Sequence, residues 1–145
     1  MSTMNLATPQ EAATGASRTQ PADVTTLVVD DQPPFREVMK QLLALTPGFR
    51  LAGEVSSGEE AIEAVGSLSP QLVLMDVRMP GMGGIEAARS LAMLHPEVVV
   101  VLLSVHGPEE LSPELVEGSG AAAFARKQQL RPKLLTELWK RHGAH

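Results

Sequence analysis

Five apolar runs alternating with stretches of helical periodicity predict an α/β chain: a doubly wound, five-stranded parallel sheet in the order 2-1-3-4-5 with helices on both faces. Two further observations agree. The residues are 43% hydrophobic and 20% charged, a globular balance that excludes a wholly disordered or fibrous chain. A length of 145 residues fits one domain large enough to fold without a disulfide or a structural zinc.

The elements follow in order. Residues 1–23 are rich in Ser, Thr, Ala, Gln and Pro, show no periodicity and lack the charged start and apolar core of a signal peptide; they predict a disordered tail ahead of a domain at 24–143. Residues 24–29 are a short β-branched run, long enough only for a strand. Phe35, Val38, Met39, Leu42 and Leu43 then recur with helical spacing, with Pro33 and Pro34 in the first turn and Pro47-Gly48 as the stop. A second strand is predicted over 49–55. Ser57 and Glu60 have the spacing of a capping box, which opens a helix through Ala61, Ile62, Val65 and Leu68.

Residues 72–75 predict the third strand, and Ile85, Ala88, Leu91 and Ala92 mark the third helix. The six apolar residues 98–103 read as a strand covered on both faces, and 121–125 as a weaker fifth strand. Between them lie Gly107, Pro108, Pro113, Gly118 and Gly120, which predict a short or mobile fourth helix, able to start with Ser112 as cap and Pro113 at its first position, and a modified partner interface. Leu134, Leu135, Leu138 and Trp139 give the last helix a buried stripe, with the Trp139 ring under the sheet.

Composition narrows the function as well. The absence of cysteine removes disulfide frameworks, thiol nucleophiles and thiolate metal sites together. The run 98–103 is far too short to cross a bilayer, and a net charge of −5 argues against coating nucleic acid. That charge is uneven: from residue 121 onward the net is +5, against −10 before it. A basic end on an acidic body offers either a docking face or a last helix whose Lys140 and Arg141 complement its dipole.

The polar residues just beyond the strands carry the chemistry. Asp30 and Asp31 follow the first run, Asp76 the third, Ser104 the fourth, and the fifth leads to Lys127. In the order 2-1-3-4-5 these strands are consecutive and about 4.8 Å apart, so the groups converge on one edge. Packed carboxylates repel unless a cation joins them, and an all-oxygen set favours a hard ion, Mg²⁺ first. A central carboxylate beside a metal, a lysine and a hydroxyl can act as a nucleophile towards a phosphoryl group, which singles out Asp76. Met75, Met79, Met82 and Met93 read as packing, and the four histidines lack metal-ligand spacing.

The segment Val73-Leu74-Met75-Asp76-Val77-Arg78-Met79-Pro80-Gly81, preceded by Val28-Val29-Asp30-Asp31 and followed by Ser104 and Phe124-Ala125-Arg126-Lys127, resembles the CheY-like receiver domain of bacterial two-component response regulators. The local spacing is nearest to receivers of LuxR/NarL-type regulators, here without a helix-turn-helix after the fifth helix, as in a stand-alone receiver or one cut from a longer protein. The resemblance implies that Asp76 accepts phosphate from a histidine kinase or phosphotransfer protein. It implies that Asp31 binds Mg²⁺ directly, Asp30 mostly through water, and the Arg78 carbonyl completes the set. Ser104 and Lys127 would grip the phosphoryl group, and Phe124 would be the switch aromatic that moves with Ser104. The implied setting is cytoplasmic, with no membrane and no direct nucleic-acid contact, and with a protein target or homodimer on the fourth helix, fifth strand and fifth helix. Such a chain is a switch that gains and loses its own phosphate rather than an enzyme.

Several positions depart from the family pattern. Gly83 stands where Asp is usual and, beside Gly84, is expected to loosen the third helix. Gln128 replaces the frequent Pro, so nothing demands a cis peptide there, and Val105 is bulky enough to narrow access to the site. Arg78 and His106, at positions where the family tunes dephosphorylation, lead to the expectation of a long-lived phosphoryl form. Two rival functions follow from the same residues: a degenerate receiver working as a phosphorylation-independent adaptor, and an aspartate-nucleophile phosphohydrolase of the haloacid-dehalogenase type. The latter wants Asp-x-Asp after the first strand, where this chain has adjacent acids.

Overall fold

The computed structural model describes residues 23–105 and 113–143. Chain order runs β1 (Val24–Val29), α1 (Pro33–Leu45), β2 (Phe49–Val55), α2 (Gly58–Leu68), β3 (Leu72–Asp76), α3 (Gly83–Leu94), β4 (Val99–Ser104), α4 (Pro113–Gly118), β5 (Ala123–Arg126), a 3₁₀ turn (Lys127–Gln129) and α5 (Pro132–His142). All pairings are parallel and the sheet order is β2-β1-β3-β4-β5, the arrangement the alternation predicts.

Each buried strand sends alternate side chains to two separate cores. Leu27, Val29, Val73, Met75, Val100 and Leu102 pack with α2 and α3 on one face. Val28, Leu72, Leu74, Val101, Leu103 and Ala125 pack with α1 and α5 on the other. Strands apolar at every position are therefore needed in the centre of the sheet. The expected tail at residues 1–22, His106, and the Gly107, Pro108 and Ser112 positions lie outside the described residues.

Local chemistry moves several boundaries. The Val98 N–H closes a turn on the His95 carbonyl (3.0 Å), so β4 starts at Val99 and reaches Ser104, one residue later than expected. The Ala121 N–H is taken by the Ser119 hydroxyl (3.1 Å), which delays β5 to Ala123. Half of the expected capping box forms: Ser57 Oγ accepts from the Glu60 N–H at 3.1 Å, but the Glu60 carboxylate turns to the N–H and hydroxyl of Ser56 (2.8 and 2.9 Å). Those donors hold the Glu60 carboxyl below its usual range, the Ser56 N–H foremost.

Three residues expected on buried faces are exposed: Val38 at 52%, Leu68 at 46% and Met93 at 80%. Leu68 nonetheless reaches the sheet, where its Cδ1 lies over Gly53 of β2. Trp139 is half-buried against the second core rather than wholly beneath the sheet. The fourth helix is short, as expected, at six residues.

Candidate functional site

Asp30 follows directly on β1. Its N–H continues the sheet ladder to the Val55 carbonyl (3.2 Å), which carries the residue past the end of the strand in fixed register. Its Oδ1 accepts the Gln32 N–H at 2.9 Å, and Gln32, not Asp31, is the N-cap of α1. Its carbonyl is held from outside the turn: Arg36 Nη1 donates to Asp30 O at 2.7 Å while Arg36 Nε donates to Glu54 Oε1 at 3.0 Å. Lys40 Nζ also donates to Glu54, at 2.6 Å. These two cations hold the Glu54 carboxyl below its usual range, Lys40 foremost. Arg36 is not among the residues the sequence singles out, because its contacts with Asp30 O and Glu54 depend on how α1 lies against β1 and β2.

Asp76 ends β3, and the next residue stays on the sheet through Val77 N–H to Leu103 O at 2.8 Å. Behind it lies the start of α3. A Cβ on Gly84 would overlap the Asp76 carbonyl oxygen and come within 2.9 Å of the Val77 Cα, while the Gly84 N–H donates to Val77 O at 2.8 Å. Gly83 has φ +75°. Gly84 lets the helix press against the backbone that carries Asp76, while Gly83 supplies the positive φ of the turn into it.

Lys127 joins the two strand ends. It begins the 3₁₀ turn after β5 rather than ending a strand. Its ammonium donates to Asp30 Oδ2 at 2.7 Å and lies 3.4 Å from Asp76 Oδ1, with its side chain 6% exposed and that of Asp30 fully buried. Nζ also stands 4.2 Å from the centroid of the Phe35 ring, at the start of α1. Next along the turn, Gln128 Nε2 donates to the Val105 carbonyl at 2.8 Å, tying the Lys127 turn to the residue after Ser104. Within the described residues the 126–128 segment has only trans peptides.

Burial pushes the Asp76 carboxyl above its ordinary value. The Lys127 charge opposes that, the neighbouring Asp30 charge adds to it, and the Lys127 hydrogen bond and Arg78 N–H oppose it again. One oxygen from each of Asp30, Asp31 and Asp76 can be chosen so that all lie within 4.8 Å of one another. Oxygen-only donors at this spacing, partly matched already by one ammonium, fit a hard divalent cation.

Ser104 is buried at the end of β4, one residue beyond the Asp76–Leu103 pair. Phe124 pairs with Leu102 and packs half-buried on the core shared with α2 and α3. The Arg78 and Val105 side chains are exposed.

With this geometry in view, comparison with known proteins is specific. The family described as response regulator receiver domain matches residues 26–138. The transcriptional regulatory protein DegU of Brevibacillus brevis is 35% identical over 102 residues, covering 70% of this chain and 43% of that protein. The response regulator GacA of Pseudomonas viridiflava is 38% identical over 104 residues, 72% of this chain and 48% of its own length. The solved signal receiver domain of the response regulator NarL from Mycobacterium tuberculosis superimposes with a TM-score of 0.72 at 32% identity, covering 83% of this chain and 98% of that one. The chain thus spans under half the length of the curated relatives it matches. Among the described residues no helix is long and apolar enough to cross a membrane. Acids after β1 and β3, the lysine that joins them and the matched sequence together make this chain a member of the response regulator receiver domain family of two-component systems.

Proposed function

We propose that Asp76 is the phosphoryl acceptor of a cytoplasmic two-component relay, within a receiver domain at 24–143. The observation that carries this reading is the buried triangle of Asp30, Asp76 and Lys127, with Lys127 Nζ at 2.7 and 3.4 Å from the two carboxylates. Asp76 is held as an oxygen nucleophile whose charge is already partly balanced, next to a cluster able to take a cation.

In this reading Asp30, Asp31, Asp76 and the Arg78 carbonyl hold Mg²⁺, which when bound offsets charge on the phosphoryl oxygens. An Asp76 oxygen bonds to phosphorus, the P–N bond of a phosphohistidine breaks, and its electron pair returns to the imidazole of a sensor kinase or phosphotransfer protein. Lys127 donates to one phosphoryl oxygen and Ser104 to another. The move of Ser104 towards phosphate is read by Phe124, which remodels α4, β5 and α5 as the surface for a protein target or a second copy. The protein works as a switch with no separate substrate.

The test is incubation with acetyl phosphate and Mg²⁺, followed by intact mass and peptide mapping. One phosphoryl group on Asp76, lost in Asp76→Asn and in EDTA, is the expected result. An unmodified protein that still binds its partner would make it an adaptor instead, and turnover of phosphate esters surviving Asp76→Asn would make it a hydrolase.

A further inference from the structure

We propose that Phe35 is a positioning residue for phosphoryl transfer: its ring packs against the Lys127 ammonium and holds Nζ ready for the incoming phosphoryl group. This deepens the phosphoacceptor reading and rests on it. The helical pattern explains Phe35 only as one more member of the apolar face of α1. The structure gives it a second neighbour, with Nζ 4.2 Å from its ring centroid while the rest of the ring packs on the core beneath α1 and α5.

An ammonium has three N–H groups and no fixed orientation of its own. Here Asp30 takes one at 2.7 Å and Asp76 lies 3.4 Å away. The Phe35 ring is a further neighbour of the same ammonium. The negative face of an aromatic ring attracts a cation most where water is excluded, and this lysine side chain is only 6% exposed. Pro33 and Pro34 fix the backbone that enters α1, so the ring is placed by a stiff first turn rather than by a free loop.

The consequence is preorganisation. A free lysine side chain surrenders most of its rotamer entropy when it grips a ligand, and one already clamped between a ring and a carboxylate does not. An aliphatic residue of similar volume at 35 would fill the core but would not hold the cation. The expected penalty on phosphoryl binding is about five-fold, with the whole rotamer entropy of a lysine setting a ceiling of about thirty-fold.

The test compares Phe35→Leu and Phe35→Tyr with the parent protein, titrating beryllofluoride at saturating Mg²⁺ and following the adduct by fluorine NMR. Expected is a roughly five-fold weaker beryllofluoride response in Phe35→Leu, recovery in Phe35→Tyr, and unchanged Mg²⁺ affinity in both. Phe35→Leu binding as tightly as the parent would overturn the inference. So would Leu and Tyr variants losing Mg²⁺, beryllofluoride and thermal stability in parallel, which is the mark of mere packing. Should Phe35→Leu not fold, the parent alone decides: with lysine labelled, the Lys127 Cε and Nζ protons must be shifted upfield by the ring, and normal shifts reject the contact. A parent that folds, shows the ring shift and yet forms no adduct at Asp76 refutes the phosphoacceptor reading, and with it the role of Phe35 in phosphoryl transfer.

Discussion

Replacing Lys127 with methionine keeps a long apolar stem and removes the one ammonium that contacts both Asp30 and Asp76. The Asp30 side chain is fully buried and that of Asp76 is 9% exposed, so the variant leaves two carboxylates together out of water. Removing one partner of such a pair costs about 3–5 kcal/mol, far more than the intact pair contributes. The lower end applies to this site, because Asp31 is half-buried and opens the cluster to solvent on one side. For a domain of this size that is a fall in Tm of about 12 °C. The loss should be full in EDTA at neutral pH. Millimolar Mg²⁺ should recover much of it, since a ligand at a hundred times its Kd returns about 2.7 kcal/mol and the uncompensated acids bind a cation more tightly. Acid should also recover part of it, because burial already raises the Asp76 carboxyl and its protonation removes one charge that the lysine balanced. Thermal unfolding by circular dichroism, with and without Mg²⁺ at two pH values, reads all three. A variant that melts with the parent in EDTA at neutral pH would show that no charged carboxylate is trapped in that cluster, and the electrostatic account of the site would be wrong.

Other outcomes are equally open to measurement. Burial raises the folded value of Asp76, so its contribution to stability is present below the ordinary carboxylate range and is lost as pH rises through the folded value. Asp76→Asn should therefore melt above the parent in EDTA at pH 7, with the gap closing in acid; a gap that widens in acid reverses the sign and rejects the argument. Gly84→Ala should cost about 1–3 kcal/mol by overpacking and slow phosphoryl uptake, because the overlapped atoms are backbone and cannot rotate aside. Gly83→Ala meets no atom nearer than 3.8 Å and should cost only the positive-φ penalty, about 1 kcal/mol; denaturant unfolding that ranks Gly83→Ala the worse contradicts this geometry. Gln128→Ala breaks a 2.8 Å bond to the Val105 carbonyl and should speed local amide exchange around residue 105, with at most about 1.5 kcal/mol lost globally. Exchange unchanged there would deny the tie.

The arrangement of elements was legible because the sequence writes it twice, once in apolar alternation and once in the polar residues that stop each strand. Asp30, Asp76 and Lys127 could be placed on one edge from strand order alone. What the pattern could not supply was distance to neighbours off the sheet. A helical wheel lists Val38 with Met39 and Leu42, yet only the latter two are buried in the core. It lists Phe35 as packing, with no hint that a lysine from the far end of the fold stands over its ring. The Gly83-Gly84 pair reads as looseness by propensity, and only the approach of α3 to Asp76 turns it into a requirement. Ala121 and Val98 were lost from their strands to single side-chain and turn hydrogen bonds, details below the reach of periodicity.

The bond between Lys127 and Asp30 spans 97 positions of sequence. Closing so long a loop is entropically costly, and its cost falls on the last part of the chain to be made. A chain still emerging from the ribosome, or one clipped before β5, carries Asp30, Asp31 and Asp76 and lacks Lys127. The paired centre is thereby reserved for finished molecules: a half-made copy has the acids of β1 and β3 with no lysine between them.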